Sequence, residues 1–206
     1  LDGFYSKFAA IRDRVPELKL LIIASIKDEL RPFMKLGFQL TKGRKIKPIP
    51  KDADVVYWHD FMGFGKNYRL PYRAKVNPQD VAAILYSGGT TGTMKGIMLS
   101  NFNFNALAFQ TITAAENFVP GDSMLAIMPV FHGFGLGICI NMILQYGGRC
   151  ILVPQFTAQT YAELLKKQQP NYIAGVPTLY EALLRNPHLN GVSLACLKGM
   201  FSGGDS

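Results

Sequence analysis

Tyr86-Ser87-Gly88-Gly89-Thr90-Thr91-Gly92-Thr93-Met94-Lys95-Gly96 lies between two apolar runs, Val81-Ala82-Ala83-Ile84-Leu85-Tyr86 before it and Ile97-Met98-Leu99 after it. Both runs read as strands, the second a short one. The segment joining them is packed with small residues. Glycines let backbone N–H groups turn toward an anion and let its oxygens come close. Ser and Thr hydroxyls add donors, and Lys95 adds a mobile positive charge. Together these features suit a polyphosphate. A plain glycine-rich hairpin is the alternative reading of the same residues.

Two other phosphate motifs fail here. A P-loop needs Gly-Lys followed by Ser or Thr and then a helix. Met94 precedes Lys95, Gly96 follows it, and the chain runs into Ile97-Met98-Leu99 instead. In Gly133-Phe134-Gly135-Leu136-Gly137 the third glycine comes one position too early for a dinucleotide fingerprint.

Downstream, strands and helices alternate. Ser100 is placed to cap a helix over about 101–117. Met124–Met128 reads as a strand followed by a helix through Met142, and Cys150–Val153 as another strand. Thr157 opens a helix through Lys167, Tyr172–Ala174 is a strand, Pro177 starts a helix through Arg185, and Leu197–Phe201 closes as a strand. Upstream, residues 3–14 carry Phe4, Phe8 and Ile11 at helical spacing, and Leu18–Ala24 reads as a buried strand. Asp28–Leu40 reads as a helix, 42–54 as a loop and Val55–Phe64 as a short helix. The predicted fold is α/β, a largely parallel sheet with flanking helices. It divides into residues 1–79, a subdomain part with a linker, and residues 80–206.

The segment Ser87–Gly96 resembles the phosphate-binding signature of the adenylate-forming superfamily, usually Thr-Ser-Gly-Thr-Thr-Gly-x-Pro-Lys-Gly. That superfamily includes acyl-CoA synthetases, luciferases and peptide-synthetase adenylation domains. Gly88 stands for the Ser and Met94 for the Pro. Gly88 removes one hydroxyl and Met94 loosens the turn before Lys95. Three further stretches follow in the family's order. Met128-Pro129-Val130-Phe131-His132-Gly133-Phe134-Gly135 resembles its second motif, Pro-Leu-Phe-His-x-x-Gly. Gly175-Val176-Pro177-Thr178-Leu179 resembles its Val-Pro-Thr segment, and Phe201-Ser202-Gly203-Gly204 its adenine loop.

The resemblance implies an AMP-forming acid–thiol ligase similar to long-chain fatty acyl-CoA synthetases. Its substrates would be ATP, a carboxylic acid and coenzyme A. The phosphates would be held by Ser87, Gly88, Gly89, Thr90, Thr91, Gly92, Thr93, Lys95 and Gly96. Adenine would lie along Ser202, Gly203 and Gly204. His132 would sit near the substrate carboxylate as the catalytic candidate. Mg2+ would act mainly through phosphate oxygens, and Thr90 is the one residue assigned to it. Amino-acid-activating members usually carry Asp where His132 stands, which favours a simple acid such as a fatty acid. An acyl-AMP ligase, an aryl-CoA ligase or a non-catalytic nucleotide-binding module are the rival readings.

No Tyr-Gly-x-Thr-Glu segment, whose Glu helps to hold magnesium in the family, occurs in the 206 residues. The chain begins at Leu1 and stops just after Gly203-Gly204. It reads as a partial N-terminal domain, with a small C-terminal domain of the same protein as its missing partner. Alone, it is expected not to catalyse adenylation.

The bulk numbers agree with a globular protein. Hydrophobic residues make up 49% and charged residues 17%. The net charge of +8 resides wholly in residues 1–75, and residues 76–206 are balanced. Lys42, Arg44, Lys45, Lys47 and Lys51 form the densest basic cluster. That cluster reads as a solvated loop or as a peripheral contact with phosphates or an anionic membrane surface. No nucleic-acid-reading motif accompanies it. Cys139, Cys150 and Cys196 lie in apolar surroundings without Cys-x-x-Cys spacing, which points to a reducing, cytoplasmic setting. Ser123–Gly148 lacks Asp, Glu, Lys and Arg, a run long enough to span a bilayer, but Pro129, His132, Gly133, Gly135 and Gly137 fall in its first half. A strand, a turn and a buried helix are expected there rather than a transmembrane helix.

Overall fold

The structure is a computed structural model. It describes residues 1–50, 52, 54–71, 74–87, 94–153 and 157–204, without the side chains of Lys42 and Ala158. The chain packs as two units, Leu1–Ala74 and Lys75–Ser206.

In the first unit, α1 (Tyr5–Ala9) lies between two 3-10 turns, Asp2–Phe4 and Arg12–Arg14. The single helix expected over 3–14 is therefore broken into three pieces. β1 (Leu21–Ile23) is shorter than the strand expected over 18–24. α2 (Pro32–Leu40) starts on a proline, whose missing N–H costs nothing in a first turn. Val55–Phe64 is not one helix. β2 (Val55–Tyr57) pairs in parallel with β1, and only then does α3 (Trp58–Gly65) begin. Two valines and a tyrosine fit a pleated ladder better than a helix turn. Ile23 and Ser25 are the buried residues among those described in this unit.

The second unit opens with a hairpin. β3 (Val81–Ser87) and β4 (Lys95–Ser100) are antiparallel, with Leu85 opposite Ile97 and Ser87 opposite Lys95. Ser87, Lys95 and Gly96, expected in the connecting loop, thus belong to the ladder. Ser100 caps α4 (Asn101–Ala115) in a reciprocal box with Asn103. β5 (Ser123–Ala126) follows. Gly135–Met142 is wound as a π-helix and runs directly into Ile143–Gln145, the two together forming α5. Next come β6 (Arg149–Leu152), α6 (Ala158–Gln168) capped by Thr157, and β7 (Tyr172–Gly175). α7 (Pro177–Leu184) and β8 (Gly199–Ser202) complete the unit. Ser202, expected in the loop, is the last residue of β8.

β6, β5, β7 and β8 form one sheet in that order, every pair parallel. Side chains alternate between its two faces. Met124, Ala126, Tyr172 and Ala174 meet Ala108 of α4 and Ile138, Cys139 and Met142 of α5. Leu125 and Ile173 meet Tyr161, Leu165, Leu179 and Leu183 of α6 and α7 on the other. Each large apolar side chain so buried stabilises the fold by about 1.5–3 kcal/mol. Before β5, the buried Asp122 carboxylate accepts from Lys198 Nζ at 2.8 and 2.9 Å and from the Val119 N–H at 2.9 Å. No helix among the described residues is long and apolar enough to cross a membrane. The uncharged run from Ser123 is a strand, a turn and α5.

Candidate functional site

The order of the sheet locates a crevice. From β5 the chain crosses to β6 on one side, then returns past β5 to β7 and β8 on the other. The segments leaving the C-terminal ends of β5 and β7 therefore diverge. In open α/β sheets that divergence is where ligands bind. The β5 segment carries Met128–Gly133. The β7 segment carries Val176 and the start of α7.

The His132 turn is held by its own backbone. The His132 N–H donates to the Pro129 carbonyl at 3.0 Å, and the Leu136 N–H donates to the His132 carbonyl at 2.9 Å. The Phe134 N–H donates to His132 Nδ1 at 3.2 Å. Gly135 has no substitute here. A Cβ on it would lie 2.1 Å from the Pro129 carbonyl oxygen and 2.7 Å from that of Met128. The imidazole itself is exposed.

The adenine-loop candidates sit beside the Val-Pro-Thr segment. The Gly203 N–H donates to the Gly175 carbonyl at 3.3 Å, carrying the β7–β8 pairing past the end of β8. A Cβ on Gly204 would lie 3.8 Å from Val176 Cγ1, and the φ of +76° at Gly204 favours glycine. Tyr180 Oη donates to the Phe201 carbonyl at 2.6 Å, tying α7 to the strand just before Ser202. Burial pushes the Tyr180 phenol up to about 12, so it stays a donor. Sequence reasoning missed Tyr180. A tyrosine inside an apolar helix signals only that its hydroxyl needs a partner, not which one.

The hairpin reaches the same region. Leu85 Cδ1 is 3.4 Å from the point a Cβ on Gly133 would occupy. Ser87 lies two residues further along that face of β3, and Lys95 lies opposite Ser87. The base of the glycine-threonine segment and the His132 turn are thus brought together, and the Gly175–Thr178 and Ser202–Gly204 segments are brought together with each other. Gly88, Gly89, Thr90, Thr91, Gly92 and Thr93 lie outside the described residues. So does the assignment of Mg2+ to Thr90. Among the described residues no group of three His, Cys, Asp or Glu side chains could hold a metal ion.

A doubly wound parallel sheet, with the β3–β4 hairpin approaching its switch-point turn through Leu85, defines the type of α/β protein whose ligands bind at that turn. The chain belongs to the family of AMP-binding enzymes, whose profile matches residues 17–206. It is 32% identical over 189 residues to a long-chain-fatty-acid–CoA ligase of Bacillus subtilis, covering 89% of this chain and 33% of that protein. It is 31% identical over 211 residues to a long-chain-fatty-acid–CoA ligase of Haemophilus influenzae, covering 97% of this chain and 37% of that protein. The chain therefore spans about a third of the length of these relatives. Its fold resembles that of the anthranilate CoA ligase AuaEII in complex with anthranoyl-AMP, with a TM-score of 0.71 at 20% identity, over 97% of this chain and 34% of that one.

Proposed function

We propose that this chain supplies the phosphate-binding hairpin and the acid-positioning turn of an ATP-dependent acid–CoA ligase. The observation that carries the reading is the approach of Leu85 to Gly133, which joins the hairpin to the His132 turn. In the first half-reaction a substrate carboxylate oxygen attacks the α-phosphorus of ATP. The bond to the bridging oxygen breaks, and pyrophosphate leaves with that electron pair. In the second, the thiol of coenzyme A attacks the acyl carbon and AMP leaves. Such chemistry needs positioning and charge neutralisation above all.

Ser87, Lys95 and the amides of Gly88–Thr93 and Gly96 hold the β- and γ-phosphates in this reading. Ser202–Gly204, kept beside Val176, provide the flat backbone surface for adenine. His132 hydrogen-bonds the carboxylate. Mg2+ with Thr90 would supply further charge neutralisation on the phosphates. Residues 80–206 form the AMP-binding subdomain, and residues 1–79 belong to a preceding α/β subdomain with its linker. A fatty acid is the proposed substrate, supported by His132 in place of Asp and by the names of the two relatives. Three free cysteines fit a cytoplasmic setting.

No Tyr-Gly-x-Thr-Glu segment lies in the 206 residues, so turnover is assigned to a longer protein. Thioester formation from a panel of acids by that longer protein tests the substrate. Preference for long aliphatic acids is expected, and preference for aryl acids contradicts the fatty-acid assignment. ATP–pyrophosphate exchange by residues 1–206 alone contradicts the division of labour.

A further inference from the structure

His132 carries information beyond its place in the motif. A backbone N–H can only donate, so the 3.2 Å contact from the Phe134 N–H makes His132 Nδ1 an acceptor. A neutral imidazole with an accepting Nδ1 bears its proton on Nε2. The usual ambiguity between ring nitrogens is removed because the partner has one possible role. The peptide geometry on both sides of the ring is also fixed. His132 N–H to Pro129 carbonyl and Leu136 N–H to His132 carbonyl close the turn, at 3.0 and 2.9 Å. Gly135 leaves no room for the turn to be rebuilt around a larger residue.

We infer that the Phe134 amide is a positioning group that holds His132 as the Nε2–H tautomer, presenting Nε2–H as a neutral hydrogen-bond donor to a substrate carboxylate. The carboxylate part rests on the proposed function; the tautomer does not. A donor at Nε2 matches an anion and disfavours a ligand that can only donate, such as an ammonium. The requirement also explains the short spacing. With the ring at 132 and the amide at 134, the side chain reaches its own following backbone, and no second side chain is needed.

Three histidines make the test direct. His59 provides a contrast, because its Nδ1 faces an acceptor, the Asp60 carboxylate at 3.4 Å, rather than a backbone N–H. The chain is labelled with 15N-histidine, and long-range 1H–15N correlations are recorded at a pH where the rings are neutral. His132→Ala assigns the His132 signals. His132 is expected to show Nδ1 in the unprotonated range and Nε2 in the protonated range, further apart than in the same chain unfolded in urea. A separation equal to that of the unfolded chain, or a reversed pattern, overturns the inference. Octanoate is then added with ATP present. Movement of His132 Nε2 with little change at Nδ1 is expected. A fixed tautomer whose Nε2 ignores octanoate overturns the carboxylate role while leaving the positioning intact.

Discussion

Ser87 and Lys95 face each other as the final pair of the β3–β4 ladder. Directly opposed residues share one face of an antiparallel pair, so a hydroxyl and an ammonium stand side by side where the connecting segment leaves and returns. Leu85, on the same face, meets the Gly133 turn. A ladder that continues to its last residue gives the segment a firm base. In the proposed phosphate cradle, this fixed base lowers the ordering cost of binding.

Gly135→Ala is expected to destabilise the chain by about 2–3 kcal/mol, the upper part of the range for forcing extra atoms into a packed site. The added methyl would meet carbonyl oxygens rather than yielding side chains. Gly63→Ala is the control. It lies in α3 with nothing within 4 Å of its Cβ position. There the alanine is expected to be neutral or to stabilise by about 0.5–1 kcal/mol. Urea denaturation of both variants checks the contrast, and equal effects would contradict the tight turn.

Lys198→Met removes the cation from a carboxylate whose side chain is only 6% exposed. Asp122 then keeps the hydrogen bond from the Val119 N–H. Breaking a buried pair costs about 3–5 kcal/mol, and the partial exposure of Lys198 brings the expectation to about 2–3 kcal/mol. Adding Asp122→Asn should recover part of that loss, because the uncompensated charge is gone. A double-mutant cycle in denaturant measures it.

Alkaline pH should weaken the fold. Burial pushes the Cys139 thiol up to about 12 and the Tyr180 phenol to about 12, and the buried Tyr161 higher still. These folded values lie above the ordinary 9.0 for a thiol and 10.0 for a phenol. The unfolded chain therefore releases protons first. The stabilising contribution is complete below about pH 9 and is lost as pH rises toward about 12. Denaturant midpoints measured between about pH 8 and about pH 10.5 should fall, and less steeply in Cys139→Ala. A slope unchanged by that substitution would contradict the burial of the thiol.

The parallel sheet was legible because its strands are short apolar runs between capped helices. Ser100 and Thr157 sit where the first turn of α4 and of α6 needs an acceptor, and both caps form as expected. The motifs near His132 and Gly203 were legible as sequence patterns. Their grouping was not, because it depends on β5 and β7 being neighbours while β6 lies on the far side. No local pattern encodes that order. The first unit is less legible in its sequence. Val55-Val56-Tyr57 becomes a strand only through its pairing with Leu21–Ile23, more than thirty residues away. Tyr180 was missed for the same reason, since its partner is a carbonyl on another strand. By composition Lys95 and Gly96 suit a loop, but the ladder reaches them.

Titration of ATP and of adenosine into the 206-residue chain and its Lys95→Ala variant tests the phosphate cradle most directly. Loss of a charged phosphate contact should weaken ATP binding at least tenfold, about 1.4 kcal/mol or more, and leave adenosine binding unchanged. Equal ATP affinity in the two proteins, or an unaltered chain that binds ATP no better than adenosine, would contradict the account.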